Sequence, residues 1–291
     1  METRVTFPER MSLGSLYLAD RLFPHQRKWI GEASGQFTGD IPDNKLFGLA
    51  LSGHVSEDAL ESRLDDLRLL QSLDLSTARF SDVLVKLTCQ LTGLIELRLD
   101  FAPFEDSHTL RLMPLSDLST LWMLNTSITN KGLKHLAGLP SLACLVLKKT
   151  EITDGGLIHL KEIKSLRTLL LPVTITDTGL EELKAMPQLL HLDLSGTGIS
   201  DNGMKYLAEL TELRTLYLTD TKISDEGLKK LASLQNLETL HVVGTNISDK
   251  GLQSLESIKT LTFLDARETK ATEIGMARLR SQLPSCDIVG L

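Results

Sequence analysis

One sentence of residues recurs along this chain at a fixed period: L-x-x-L-x-L-x-x-T-x-I-T/S-D-x-G-L-x-x-L. It is read in Leu142, Leu145, Leu147, Thr150, Ile152, Thr153, Asp154, Gly156, Leu157 and Leu160. It is read again, position for position, in Leu213, Leu216, Leu218, Thr221, Ile223, Ser224, Asp225, Gly227, Leu228 and Leu231. A repeat of this length restricts the fold more than composition does, because one copy cannot bury its apolar face alone and the copies must stack. The starts fall at Leu46, Leu70, Leu94, Leu118, Leu142, Leu166, Leu189, Leu213, Leu237 and Leu261, spaced by 24 residues except from Leu166 to Leu189, which is 23. The residue lost is placed after Thr174, which is followed directly by Ile175 where other copies carry one residue between. The deletion falls in the turn, so strand register should survive it.

Each part of the sentence has a local reading. L-x-x-L-x-L alternates as a strand does, with the second and third leucines inward and the residues around them outward. Thr126, Thr150, Thr174, Thr197, Thr221, Thr245 and Thr269 form a column after the strand. Seven equivalent hydroxyls argue for architecture, satisfying backbone groups of a buried turn in their own repeat and its neighbour. Thr153, Thr176, Ser200, Ser224 and Ser248 suit helix N-caps. The Asp that follows puts negative charge at the positive end of the helix. The Gly two residues on costs helix propensity, which close packing on the neighbouring repeat would offset. The first three copies are looser, with His54, Ala78 and Ala102 at the Thr position and Phe80 and Phe104 at the Ile position.

These motifs resemble the leucine-rich repeat family, and the I-T-D-x-G-L variant resembles its bacterial members with about 24 residues per repeat. One departure is the Thr after the strand, where the family usually has Asn or Cys. The resemblance implies an α/β right-handed solenoid, or horseshoe, with a parallel sheet on the concave side and helices on the convex side. Residues 1–45 do not follow the repeat and are expected to be an N-terminal cap, a small β-hairpin built from a strand over Ser12–Leu18 and a second around Gln36–Thr38. Ten repeats would fill 46–282, and 283–291 would be a closing strand with Leu283, Cys286 and Ile288 at strand spacing.

The totals remove several functions. A net charge of −7 argues against a nucleic-acid binder. No apolar run of 18 residues exists, so no membrane span is expected. The opening METRVTFPERMSLG lacks the apolar core of a secretory signal, so a cytoplasmic location is expected, for this chain or for a larger protein of which it is a piece. Cys89, Cys144 and Cys286 are too scattered for a disulfide framework or a metal cluster.

The outward positions of the strands are the part of the repeat free to vary. Their middle column reads Ala50, Asp74, Arg98, Trp122, Val146, Leu170, Asp193, Tyr217, His241 and Asp265. Trp122, Leu124, Val146 and Leu170 are expected to form an apolar patch, flanked by Arg98 with its acidic neighbours on one side and by His191, Asp193, Tyr217 and His241 on the other. An aromatic anchor in an apolar centre with a polar rim suits a protein partner. Asp74 beside Arg98 and His241 beside Asp265 read as cross-strand pairs. A zinc site at His191, Asp193 and His241 fails on distance, since His241 is two strands, or about 10 Å, from Asp193. A nucleophile at Ser195 or Cys144 has no base within reach. The reading is therefore a monomeric protein-interaction module without cofactor, metal or enzymatic activity. Two alternatives stand beside it: an adaptor or scaffold within a larger enzyme or complex, and recognition of a carbohydrate or cell-wall ligand through Trp122 and Tyr217.

Overall fold

The computed structural model describes residues 2–6, 13–20, 27–33, 36–53 and 55–290. Ser12 and His54, both used above, lie outside the described residues. The strands are β1 (Glu2–Thr6), β2 (Gly14–Asp20), β3 (Arg27–Glu32), β4 (Gln36–Asp40), β5 (Lys45–Leu51), β6 (Ser72–Asp74), β7 (Glu96–Arg98), β8 (Thr120–Trp122), β9 (Cys144–Val146), β10 (Thr168–Leu170), β11 (His191–Asp193), β12 (Thr215–Tyr217), β13 (Thr239–His241), β14 (Phe263–Asp265) and β15 (Asp287–Val289). Short α- and 3-10 helices follow the strands from β5 to β14. The chain divides into two compact units, Met1–Leu145 and Val146–Leu291, with the division inside β9.

In the first unit β5, β6, β7 and β8 pair in parallel, with Gly48, Ser72, Glu96 and Thr120 in one cross-strand row and Ala50, Asp74, Arg98 and Trp122 in the next. The N-terminal strands differ from the expected hairpin. β2 lies antiparallel between β3 and β5, while the strand at Gln36–Asp40 pairs with β1. β2 thus continues the sheet of the repeats edge to edge, carrying the rows on to Tyr17 and Ser15. The seam is tight: Tyr17 is fully buried and lies over Gly48, where a Cβ would overlap the phenol ring. The Tyr17 hydroxyl is 2.7 Å from Ser72 Oγ, which donates in turn to Glu96.

In the second unit β10 to β15 form one parallel run in sequence order. The short repeat keeps register, with Thr168 facing His191 and Leu170 facing Asp193. Leu166, Leu169, Leu171, Leu189, Leu213, Leu216, Leu218, Leu237 and Leu240 are all fully buried, which is the inward half of the alternation. In both units the repeats form an open parallel sheet with helices on the return path, the architecture of a leucine-rich repeat solenoid.

The turns show what the period encodes. After the strand the backbone enters the left-handed region at Phe101, Asn125, Lys149, Gly196, Asp220, Gly244 and Glu268, with φ from 53° to 74°. The ladder begins in the third repeat and skips the short one, where Val173 stands at the same position without a positive φ. The threonine column follows suit. Thr126, Thr150, Thr197, Thr221, Thr245 and Thr269 each donate to the carbonyl three residues back, at 2.6–3.0 Å. Thr174 is exposed and donates instead to Ile152 of the preceding repeat. The column is therefore six hydroxyls bonding their own turn, not seven shared between neighbours.

The aspartate of the T/S-D-x-G-L signature does more than face a helix dipole. Asp154 accepts from Thr176 N–H at 2.8 Å and from its hydroxyl at 2.5 Å. Asp177, Asp201, Asp225 and Asp249 hold Ser200, Ser224, Ser248 and Thr272 in the same two-point way, as Asp106 holds Thr129. Each carboxylate clamps the turn that leads into the next repeat's helix; the clamped residue is the N-cap at Thr129, Thr176, Ser224, Ser248 and Thr272, whereas at Ser200, also expected to be a cap, the helix starts later, with Gly203 as its N-cap. The glycine follows from this: a Cβ at Gly179, Gly203, Gly227, Gly251 or Gly275 would overlap Oδ1 of that aspartate.

Candidate interaction surface

Outward side chains of a parallel sheet stand beside their cross-strand neighbours, about 4.8 Å away, so the middle column can be followed along each unit. In the first unit Arg98 lays its guanidinium over the Trp122 ring, 4.1 Å from the centroid. Arg98 also reaches Asp100 at 3.4 Å, and Asp100 accepts from the Leu124 N–H at 2.9 Å. Trp122 and Leu124 are half-buried. The partner of Asp74 is Arg27, from β3, and not Arg98. Sequence reasoning missed this because Arg27 lies outside the repeat and enters the row only through the β2–β3 extension. Glu96 is fully buried, accepts from Ser72, and lies 3.7 Å from Arg27 Nη2. Burial pushes its carboxyl above the usual carboxylate range despite both guanidiniums.

In the second unit Val146 is 3% exposed and belongs to the core, while Leu170 is half-buried. Val146 therefore offers a partner no surface. Lys148 reaches across the short repeat to Asp193 at 3.0 Å and to the Ser195 carbonyl at 3.2 Å. The Asp193 carboxylate also accepts from the Ser195 N–H at 2.8 Å. Tyr217 and His241 stack with centroids 4.4 Å apart and planes 17° from parallel. Phe263 tilts against the other side of His241 at 5.2 Å. The ladder ends on Asp265, 3.6 Å from His241 Nδ1 and bound by two contacts of 2.9 and 2.7 Å to Arg267.

The electrostatics follow from half-burial. Desolvation lowers the His241 pKa below the usual histidine value and outweighs Asp265, which favours the neutral ring. Desolvation and the Asp193 charge both raise the Tyr217 hydroxyl. His191 is also lowered, by burial and then by Arg214. Lys148, Phe263 and Arg267, outward residues two positions before or after the middle column, complete a surface that the sequence did not single out. The signal lay in the register, which places Tyr217 beside His241 and Thr239 beside Phe263. Among the described residues, no group of three His, Cys, Asp or Glu side chains is placed to hold a metal ion. No helix of these residues is long and apolar enough to cross a membrane.

Comparison with known proteins agrees with this architecture. The family model described as Leucine Rich repeat matches residues 186–208, 210–232 and 233–255. No curated protein matches the chain at a significant level. Among solved structures, an internalin (InlF) of Listeria monocytogenes is similar, with a TM-score of 0.60 and 24% identity over 78% of this chain. This chain spans 63% of the length of that internalin. Internalin C2 of the same organism is similar at a TM-score of 0.58 and 20% identity, over 81% of this chain and 92% of that one. At these identities the likeness is one of fold. The matched residues are leucine-rich repeats, and the fold is that of a leucine-rich repeat solenoid.

Proposed function

We propose that this chain is a protein-interaction module whose partner docks on the outward sheet face of the second unit, centred on Asp193, Tyr217 and His241 with Leu170 at the border. The observation that carries this reading is the Tyr217–His241–Phe263 ladder. Three ring side chains stand half-exposed on a rigid sheet, held by stacking and bordered by the Lys148–Asp193 and Asp265–Arg267 pairs. Aromatic anchors with a polar rim carry most of the energy in protein interfaces. Rings already fixed in place lose little rotamer freedom on binding. In the first unit, Arg98, Trp122 and Leu124 offer a second half-buried contact of the same kind. The Arg98 guanidinium occupies one face of Trp122, which favours a protein partner there over a stacked sugar. The reading is of a binding scaffold rather than an enzyme, since each charged group of the ladder is engaged in a pair, and Asp193, the one beside a serine, is held by Lys148 and by the Ser195 N–H.

The test is a pull-down from source-cell lysate read by mass spectrometry, after circular dichroism shows each variant folded. Tyr217→Ala should abolish capture of a partner retained by the parent and by Ile274→Ser, a control on a side chain 82% exposed elsewhere in the unit. A central aromatic of this kind is worth at least ~2 kcal/mol on truncation. Equal capture by all three would place the contact away from the ladder and refute the proposal.

A further inference from the structure

The first unit contains a recess of about 580 Å³ where the N-terminal strands join the repeats. That volume is within the roughly 300–1,000 Å³ of small-molecule sites. Its shape comes from a step in side-chain size. Ser15, Ala50 and Asp74 are consecutive in one cross-strand row, and the single methyl of Ala50 leaves a dent between them. Trp29 of β3 stands beside the dent as a wall. It is 58% exposed, although its cross-strand neighbour Tyr17 is fully buried. The two rings meet nearly edge-on, with centroids 5.5 Å apart at 75°, which fixes the indole without covering it.

The polar side of the recess is equally preset. Arg27 lines it with only 9% of its side chain exposed, its guanidinium 4.2 Å above the Tyr17 ring and bonded to Asp74. Arg27 Nε and Nη2 have no hydrogen-bond acceptor, although Nη2 lies 3.7 Å from the Glu96 carboxylate. Asp74 is held from behind by the Ser76 N–H at 2.9 Å and the Ser76 hydroxyl at 2.6 Å. Donor and acceptor are therefore fixed side by side, the charges of this pair cancelling, while Glu32 adds one further carboxylate to the lining. A net ion gains little from such a pair. A neutral ligand whose hydroxyls both donate and accept can use both halves, while its C–H face lies on an aromatic wall.

We infer that this recess binds a carbohydrate, one or two pyranose rings laid against Trp29 with hydroxyls bonded to the Arg27–Asp74 pair. The site is independent of the partner surface on the second unit, so either can fail without the other.

The two tryptophans give two indole N–H signals in a proton–nitrogen correlation spectrum, assigned by Trp29→Phe. Glucose, galactose, N-acetylglucosamine and its β1,4-linked dimer are titrated singly against the full chain, with N-acetylarginine amide as a cationic comparison. Saturation-transfer NMR on the sugar measures binding in variants that lack the reporter. The expected result is a saturable shift of the Trp29 signal, with Trp122 unmoved, for at least one sugar. Trp29→Ala, a change at an exposed side chain, should abolish saturation transfer. Asp74→Asn should weaken binding about ten-fold, the effect of losing a hydrogen bond to a charged group. Should Asp74→Asn fail to fold, Trp29→Ala alone decides. No saturable shift with any of the sugars overturns the inference, as does sugar binding that survives Trp29→Ala. A Trp29 shift with N-acetylarginine amide alone would make the recess a pocket for a basic side chain and overturns it as well.

Discussion

Gly227→Ala separates two effects of opposite sign. In an isolated helix this change is favourable by about 1 kcal/mol, because glycine surrenders more backbone entropy than alanine. Here Gly227 packs against the Asp201 carboxylate, and an alanine Cβ would overlap Oδ1. The carboxylate must move, and it accepts two bonds from Ser224, 2.7 Å from the N–H and 2.5 Å from the hydroxyl. Bonds to a charged group contribute about 1.5 kcal/mol each at the low end. Losing both costs about 3 kcal/mol, and propensity returns about 1 kcal/mol, a net destabilisation of about 2 kcal/mol. With a urea slope of about 2 kcal/mol/M, the midpoint should fall by about 1 M. Gly198→Ala is the control, since its Cβ would meet nothing closer than 3.7 Å, and it should be neutral or stabilising. In an Asp201→Ala background the Gly227→Ala cost should disappear, which a double-mutant cycle reads directly. A Gly227→Ala protein as stable as its parent, or a cost that persists without Asp201, would refute the clamp.

Three further outcomes follow from groups described above. His241 has a depressed pKa, so its contribution to stability is present above the ordinary histidine pKa and is lost as pH falls through the depressed one; an NMR titration should place its midpoint below that of a free histidine, and His241→Gln should lessen the acid loss of stability. Burial pushes the thiols of Cys89 and Cys286 up to about 11 and that of Cys144 up to about 12; all three should react slowly with a disulfide reagent near pH 8 in the native protein and quickly in urea, and fast native labelling of any one contradicts its placement. Tyr17→Phe removes the hydroxyl bonded to Ser72 at 2.7 Å and should cost about 1 kcal/mol, read as a lower urea midpoint; no change would mean that this bond does not help to seat β2 on the repeats.

Much of the architecture was legible because it rests on local rules repeated many times. The leucines that alternate inward are the buried ones, and the short repeat keeps register because its deletion lies beyond the strand. The role of Thr174 was misread for a related reason. In the shortened turn Val173 does not take the left-handed conformation, and the Thr174 hydroxyl that follows leaves the column for the Ile152 carbonyl. The aspartate was assigned to its own helix because a helix dipole is a local effect, whereas the bonds that hold it run to residues 22 or 23 positions later. The N-terminal pairing was legible only as strand content. No periodicity links β2 to β5, and the burial of Tyr17 over Gly48 exists only once they meet.

The candidate surface divides along the same line. Strand alternation and a constant period are enough to assign residues to outward columns, and they put Asp193, Tyr217 and His241 in one row on neighbouring strands. Which of these side chains touch depends on packing between repeats. Lys148 passes over a whole repeat to reach Asp193, Arg98 turns to Trp122 instead of Asp74, and Val146 sinks into the core. Side-chain direction depends on the space that neighbours leave, and those neighbours are a repeat or more away along the chain.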